Sequence, residues 1–239
     1  MEGQIPALNG HAQRWRTVVA LLAALLLFRA TVADWNRIPS GSMLPSVLIG
    51  DRILVDKLAY HLRVPFTAWR LAHWSAPVRG DVVTFESPED GRLMVKRVVG
   101  IPGDVVALMD NRLAINGTNA DYQPLAASGH LPERGADPLR ESCDAAGYAC
   151  FRERVLGSDR VVRLRRHGDA GAIGDLTPVR VPEGHYLLLG DNRDQSRDSR
   201  AIGFVPLHRI VGRATAVAFS LDPANHYLPR AERFFTALR

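Results

Sequence analysis

Chemistry in this chain of 239 residues starts at Ser42, within the run Ser40-Gly41-Ser42-Met43. A serine hydroxyl attacks a carbonyl only when a base takes its proton. Gly41 beside it permits unusual dihedrals and lets another backbone approach closely. The plain alternative for Ser-Gly-Ser is a simple loop. The base has to come from elsewhere in the chain. None of the eight histidines stands in a recognisable Ser–His–Asp order. His185 and His208, which flank an Asp/Arg-rich run, are the rival bases, with a surface or core role as their ordinary reading. Lys96 is the other candidate. Residues 92–99 read as a strand whose alternation puts Met94, Lys96 and Val98 on one face. A lysine among apolar neighbours is desolvated, which disfavours its charged form. Its ordinary value of ~10.4 then falls toward neutrality, where the amine can accept the serine proton. The ordinary alternative is an exposed lysine paired with a carboxylate. The run 190–200 alone reads as Asx turns and surface ion pairs.

Positioning these groups falls to short strands. Runs rich in Val, Ile, Leu and Phe occupy 52–57, 81–86, 92–99, 104–109, 112–116, 185–189 and 209–219. Turn residues bound them, among them Pro102-Gly103-Asp104, Asn116-Gly117 and Gly190-Asp191-Asn192. This spacing predicts a mainly β fold, chiefly antiparallel. Residues 118–180 differ: they are rich in Gly, Asp, Arg and Pro, and only 157–166 has a convincing strand pattern. They read as an inserted, loop-rich β subdomain, with Arg160, Arg163, Arg165 and Arg166 as a solvated face. The two cysteines, Cys143 and Cys150, fall in this insertion. They match no zinc pattern and are equally compatible with a disulfide or with two free thiols.

Ahead of the strands, Val18 to Phe28 is unbroken apolar sequence bracketed by Trp15 and Trp35. Twenty residues at ~1.5 Å each separate the two indoles by ~30 Å, about one hydrocarbon thickness. Tryptophans suit both interfaces, and Arg29 is near enough to an edge to snorkel. The segment 15–35 reads as a membrane-spanning helix. A cleaved secretory signal ending at Thr31-Val32-Ala33 and a buried core helix are the alternatives. Arg14 and Arg16 on one side and Arg29 and Arg37 toward the other leave orientation unsettled by charge.

Composition excludes little but narrows the field. A hydrophobic fraction of 46% and a charged fraction of 23% describe a globular chain, not a disordered one. The net charge of +5 is scattered, with no helix-turn-helix, zinc-finger or RNP pattern, so no nucleic-acid partner is expected. No cofactor and no metal are expected.

Four ordered clusters carry a resemblance. They are Ile38-Pro39-Ser40-Gly41-Ser42-Met43-Leu44-Pro45; Gly50-Asp51 with Val55-Asp56-Lys57; Lys96-Arg97-Val98-Val99-Gly100-Ile101-Pro102-Gly103-Asp104; and Gly190-Asp191-Asn192-Arg193-Asp194-Gln195-Ser196-Arg197-Asp198-Ser199-Arg200. In this order after one apolar segment, the chain resembles the type I signal peptidases, over about 36–110 and 182–218. The resemblance implies a Ser/Lys dyad, with Ser42 as nucleophile and Lys96 as general base. It implies that the Ser42 N–H and the Ser40 hydroxyl hold the oxyanion, each such donor being worth about 3 kcal/mol. Ser196 matches the serine that orients the lysine amine. Asp198 and Arg200 match a supporting ion pair, while Asp191 and Arg193 look structural. Ile38, Met43, Val47 and Val95 match the apolar walls that admit small side chains. The chain departs from the pattern at Asn36, where an aromatic is usual; Trp35 lies one place earlier.

The expectation is therefore a membrane-bound serine endopeptidase that removes signal peptides from exported preproteins after small residues. Its organisation would be a short cytoplasmic tail (1–14), an anchor (15–35), a catalytic antiparallel β core (36–117 and 181–239) and the insertion (118–180). It would be single-pass in a bacterial cytoplasmic membrane, with its catalytic part on the outer face and its partners being preproteins and the bilayer. A specialised pilin-type maturation peptidase and a non-catalytic anchored β module are the alternatives. A soluble self-cleaving Ser/Lys repressor is disfavoured by the apolar segment.

Overall fold

The computed structural model describes residues 9–63, 69–125, 142–143, 147–166 and 174–238. The tail expected over 1–14 lies outside them as far as residue 8, as do 126–141, 144–146 and 167–173 of the expected insertion. In chain order, helix α1 (Asn9–Thr31) precedes β1 (Ala33–Arg37), β2 (Asp51–Asp56), β3 (His61–Arg63), β4 (Arg70–His73), β5 (Val82–Glu86) and β6 (Leu93–Gly100). There follow β7 (Val105–Met109), β8 (Arg112–Ile115), β9 (Thr118–Asn119), β10 (Asp121–Pro124), β11 (Tyr148–Val155), β12 (Ser158–Arg165) and β13 (Leu176–Arg180). The last elements are β14 (His185–Leu189), the short helix α2 (Ser199–Ile202), β15 (Val205–Pro206), β16 (Ile210–Asp222) and β17 (Leu228–Pro229).

The fold is mainly β. The principal sheet runs β1-β2-β16-β5-β6-β14-β15, with β17 also on β16, and every pairing in it is antiparallel. The long β16 pairs with β5 through its first residues and with β2 through its later ones, with register shifts in both ladders. Such irregularities bend a strand, and here they curl the sheet around the loop that joins β1 to β2. A four-stranded sheet, β13-β7-β8-β9, and a three-stranded one, β10-β11-β12, complete the body, and β3-β4 is a separate hairpin. Hydrogen bonding thus groups strands from Val105 onward with those of the insertion, on the N-terminal side of the boundary read at 117/118.

Side-chain alternation builds two cores on the two faces of the principal sheet. Tyr186 and Leu188 of β14 pack with Val83, Phe85 and Val98 on one face. Leu187 and Leu189 pack with Val99, Val106 and Ile115 on the other, beneath the four-stranded sheet. The two layers meet most closely at Gly100, where a Cβ would fall 2.8 Å from Val106 and 2.9 Å from Val181. A third cluster (Ile38, Met43, Val47, Ile53, Val55, Val82 and Ala214) fills the space under the β1–β2 loop.

Three sequence readings change here. The helix ends at Thr31, and Trp35 belongs to β1, because Ala33–Arg37 pairs with β2 residue by residue. Asp34 there takes ion pairs from Arg29 and Lys57, which turns the chain into the sheet. Among the described residues no helix is long and apolar enough to cross a membrane. In the insertion, β11 is as long as β12, although its Arg152-Glu153-Arg154 disguises it as a polar loop. Nor do the arginines form a solvated face: Arg160 and Arg163 are buried, with only Arg166 fully exposed. Arg160 meets the buried Glu153, and Arg163 stacks on the Tyr148 ring at 3.7 Å. Cys143 and Cys150 are joined in a disulfide.

Glu153 also takes Arg193 at 2.7 Å and the Tyr122 hydroxyl, so one carboxylate ties β11 to β12 and to the loop after β14. Burial pushes its carboxyl up, but Arg193 and Arg160 outweigh that and hold it at about 2. Its folded value lies below the ordinary 4.5. Its stabilising share is therefore complete above 4.5 and lost as pH falls toward 2. Glu153→Gln leaves two buried guanidinium groups uncompensated, and the expected cost at pH 7 is about 3–5 kcal/mol. Urea unfolding at several pH values checks this: the deficit should narrow as pH falls from 4.5 toward 2, where the unfolded chain of the parent protein takes up a proton that the folded carboxylate does not.

Candidate active site

Ser42 is carried by the loop between β1 and β2. Its ends are closed by the Ile38 N–H on Asp51 O (2.9 Å) and the Gly50 N–H on Ile38 O (3.0 Å). Met43 and Val47 root the loop in the core below. Asp51 accepts the Leu48 N–H and forms a buried ion pair with Arg233 near the C-terminus. These ties leave Ser42 half-buried at the wall of a cleft of about 340 Å³.

Lys96 reaches the same cleft from β6. Its Nζ lies 2.7 Å from Ser42 Oγ and 2.9 Å from Val95 O. The two residues are 54 apart in sequence and meet only through the fold. Strand parity alone understated the burial of Lys96. From Lys96 to Gly100 both faces of β6 are covered, so Lys96 is only 2% exposed and its neighbour Arg97 is buried as well. Arg97 answers with a two-bond pair to Asp191 (2.8 and 2.7 Å). Lys96 makes no ion pair with a carboxylate among the described residues. Burial lowers its amine to about 8; Asp198 and Asp191 pull it partly back, and Arg200 offsets them.

The loop after β14 closes the third side. Gly190 is where it passes the nucleophile: a Cβ there would fall 2.1 Å from Ser196 Oγ and 2.5 Å from Ser42 O. Only glycine fits such an approach. Asp198 and Arg200 form a buried pair with bonds of 2.8 Å to each oxygen, and Asp198 also accepts the Gly190 N–H at 3.0 Å. Asp191 and Arg193 are paired with Arg97 and Glu153 and lie away from the cleft wall. Ser196 is fully buried beside Gly190, yet its Oγ has no hydrogen-bond partner among the described residues. The expected bond from Ser196 to the Lys96 amine is therefore not made, the amine being turned to Ser42 Oγ and Val95 O.

Of the expected wall residues, Ile38, Met43 and Val95 line the cleft together with Ser40, while Val47 lies behind them in the core. Asn36 lines the cleft as well; Trp35 does not. The sequence reading gave no place in the cleft to Arg37, Leu93, Met94, Gln195 and Arg197, which line it too, as do Pro39 and Gly41. It also assigned nothing to Asn192, whose amide bonds Gly41 O at 2.9 Å and whose N–H bonds Ser42 O at 3.2 Å. The signal for Asn192 was its place in the fourth cluster. Neither His185 nor His208 lines the cleft.

A serine and a desolvated lysine at bonding distance, in a cleft walled by Ile38, Met43 and Val95, suit acyl transfer on an extended peptide. The family described as "Signal peptidase, peptidase S26" matches residues 12–219. The chain belongs to that family. It is 36% identical to a signal peptidase I of Pseudomonas fluorescens over 226 residues, which cover 89% of this chain and 74% of that one. A signal peptidase I of Pseudomonas aeruginosa is 33% identical over 231 residues, with the same coverage. The crystal structure of a signal peptidase I from Enterococcus faecalis aligns with 59% of this chain and 98% of its own, at 27% identity and a TM-score of 0.34. The chain is accordingly a serine endopeptidase of the signal peptidase I type, acting in signal-peptide removal.

Burial of Lys96 has a consequence for stability. An unfolded lysine holds its proton more tightly than this folded one, at 10.5 against about 8. The charged amine therefore destabilises the fold below pH 8, and that cost fades as pH rises from 8 to 10.5. Lys96→Met is expected to resist urea better than the parent protein at pH 7, with the difference closing above pH 8. Equal midpoints at pH 7 would show the amine to be solvated.

Proposed function

We propose that Ser42 and Lys96 are the nucleophile and general base of this signal peptidase. The observation that carries the reading is the 2.7 Å approach of Nζ to Oγ by a buried lysine that has no carboxylate partner among the described residues. Neutral Nζ takes the Ser42 proton as Oγ adds to the scissile carbonyl. The resulting oxyanion is held by the Ser42 N–H and the Ser40 hydroxyl. Collapse breaks the C–N bond, and the ammonium returns its proton to the departing amine. Water, deprotonated by the same lysine, then hydrolyses the acyl-enzyme and frees Ser42. Ser196 supports the site by packing between Gly190 and the nucleophile loop, and Asp198–Arg200 stiffens the turn that carries it. The apolar wall of Ile38, Met43 and Val95, with Val47 behind it, favours cleavage after small residues.

The same reading anchors the protein in a bacterial cytoplasmic membrane through the segment 15–35, with the catalytic core (36–117 and 181–239) and the insertion (118–180) on the outer face. The exposed Trp15, Leu21, Leu22, Leu25 and Leu26 of α1 support this, since a helix apolar on all sides suits lipid. The exposed indoles of Trp35, Trp69 and Trp74 suit an interface. Lys57, which bonds Arg29 O, fixes the end of α1 next to the chain leading to Trp74. The Cys143–Cys150 disulfide fits an oxidising outer compartment.

Ser42→Ala and Lys96→Ala are each expected to abolish cleavage of a preprotein by the detergent-solubilised enzyme while leaving it folded; processing by either variant would refute the dyad. In the parent enzyme kcat/KM should climb tenfold per pH unit and level off above about 8. Extraction of membranes at alkaline pH should leave the protein in the pellet; its release would exclude the anchor.

A further inference from the structure

We propose that Asn192 is a positioning residue that aims the Ser42 N–H at the developing oxyanion. This inference rests on the Ser42/Lys96 reading and assigns a role to a residue outside the dyad.

Asn192 is fully buried on the loop after β14. Its side-chain Nδ2 donates to Gly41 O (2.9 Å) and its backbone N–H donates to Ser42 O (3.2 Å). One residue therefore holds the carbonyls on both sides of the nucleophile's Cα. Gly41 O also accepts the Leu44 N–H at 3.1 Å, so two donors fix its direction. The Gly41–Ser42 peptide bond is trans. In a trans peptide the C=O and the following N–H point in opposite directions. Pulling Gly41 O inward to Asn192 thus turns the Ser42 N–H outward, to the cleft that Gly41 and Ser42 line. That N–H has no acceptor among the described residues, as a donor reserved for a transient oxyanion requires.

The amide can do this in one orientation only. With Nδ2 and Oδ1 exchanged, an oxygen would face the Gly41 oxygen, acceptor against acceptor. Nδ2 also reaches Gln195 Oε1 at 3.3 Å, and Oδ1 is left buried without a partner. An unsatisfied buried oxygen is costly, and it marks the orientation as one imposed by the two acceptors. Asn192 is itself held from outside the loop. It bridges to Arg163 of β12, whose N–H bonds Asp191 O at 2.8 Å. Gly190 brings the loop so near that the amide can span to Gly41.

The test uses the full-length, detergent-solubilised enzyme, with Asn192→Leu (similar volume, no donor) and Asn192→Ala in parallel. Losing an oxyanion donor outright costs about 100- to 1,000-fold, so misaiming one should lower kcat by about 10- to 100-fold. KM should stay within about threefold, and the kcat/KM profile should still level off at about 8, since Lys96 is untouched. A peptide aldehyde, whose adduct with Ser42 bears the oxyanion, should lose affinity by the same factor as kcat/KM. The cleaved signal peptide should bind as before. Unchanged kcat in either folded variant overturns the role. So does a loss shared equally by the aldehyde and the product peptide, which would mean a merely structural effect, or a displaced pH profile, which would mean an effect through Lys96. Cleavage by Ser42→Ala would overturn the dyad and this role with it, whereas a silent Ser42→Ala beside fully active Asn192 variants would remove this role alone.

Discussion

A lysine amine has to be kept out of water without an anion to hold its proton, and most of the structure around Ser42 follows from that constraint. Burial alone would lower the amine, but carboxylates are close: Asp198 and Asp191 both act on it. Neither is free. Asp198 is bound through both oxygens to Arg200, and Asp191 through both oxygens to Arg97. Arg200 offsets part of their pull, so desolvation stays dominant and the amine titrates at about 8 instead of 10.5. An ion pair buried in this way does little for stability in its own right. Here the two pairs keep both carboxylates from bonding the Lys96 amine.

Such pairs are assembled from distant parts of the chain. Arg97 and Asp191 are 94 residues apart, and Arg193 and Glu153 are 40 apart. The loop after β14 is gripped on its far side by the insertion: Glu153, itself paired with Arg160, holds Arg193, and the Arg165 N–H bonds Asp194. The small sheets are therefore part of the mounting of the loop after β14. The disulfide lies farther out, in a separate apolar cluster with Leu125 and Val161, and secures the insertion itself.

These long-range pairs also explain where the sequence was legible. Five strands of the principal sheet, β2, β5, β6, β14 and β16, fall where 52–57, 81–86, 92–99, 185–189 and 209–219 were read. The resemblance carried by the four clusters singled out Ser42 and Lys96, which the fold brings to one cleft. Charged residues misled. A run such as Arg152-Glu153-Arg154 carries no local sign that Glu153 will meet Arg193, so β11 looked like a loop and Arg160 like surface. The end of the helix was hidden too, because nothing local separates Thr31 from Trp35; what separates them is pairing with β2, some twenty residues on. Ser196 illustrates a third kind of gap. Its position was legible, but the bond it makes depends on which way a neighbouring amine turns.

The loop after β14 sets three distances at once, and they are not independent. Gly190 admits contact with Ser42 O, Asn192 bonds the carbonyls of Gly41 and Ser42, and Asp198 bonds the Gly190 N–H. A side chain at 190 would clash with Ser196 and Ser42 O and so push the loop away from the carbonyls that Asn192 bonds. Moving the loop would also carry Asp198 and Arg200 away from Lys96, and with them part of the field that sets its titration. The Ser42 N–H and the Lys96 amine are thus adjusted by one turn. The β1–β2 loop supplies Ser42, but its orientation is decided across the cleft, by contacts that no periodicity in the sequence records.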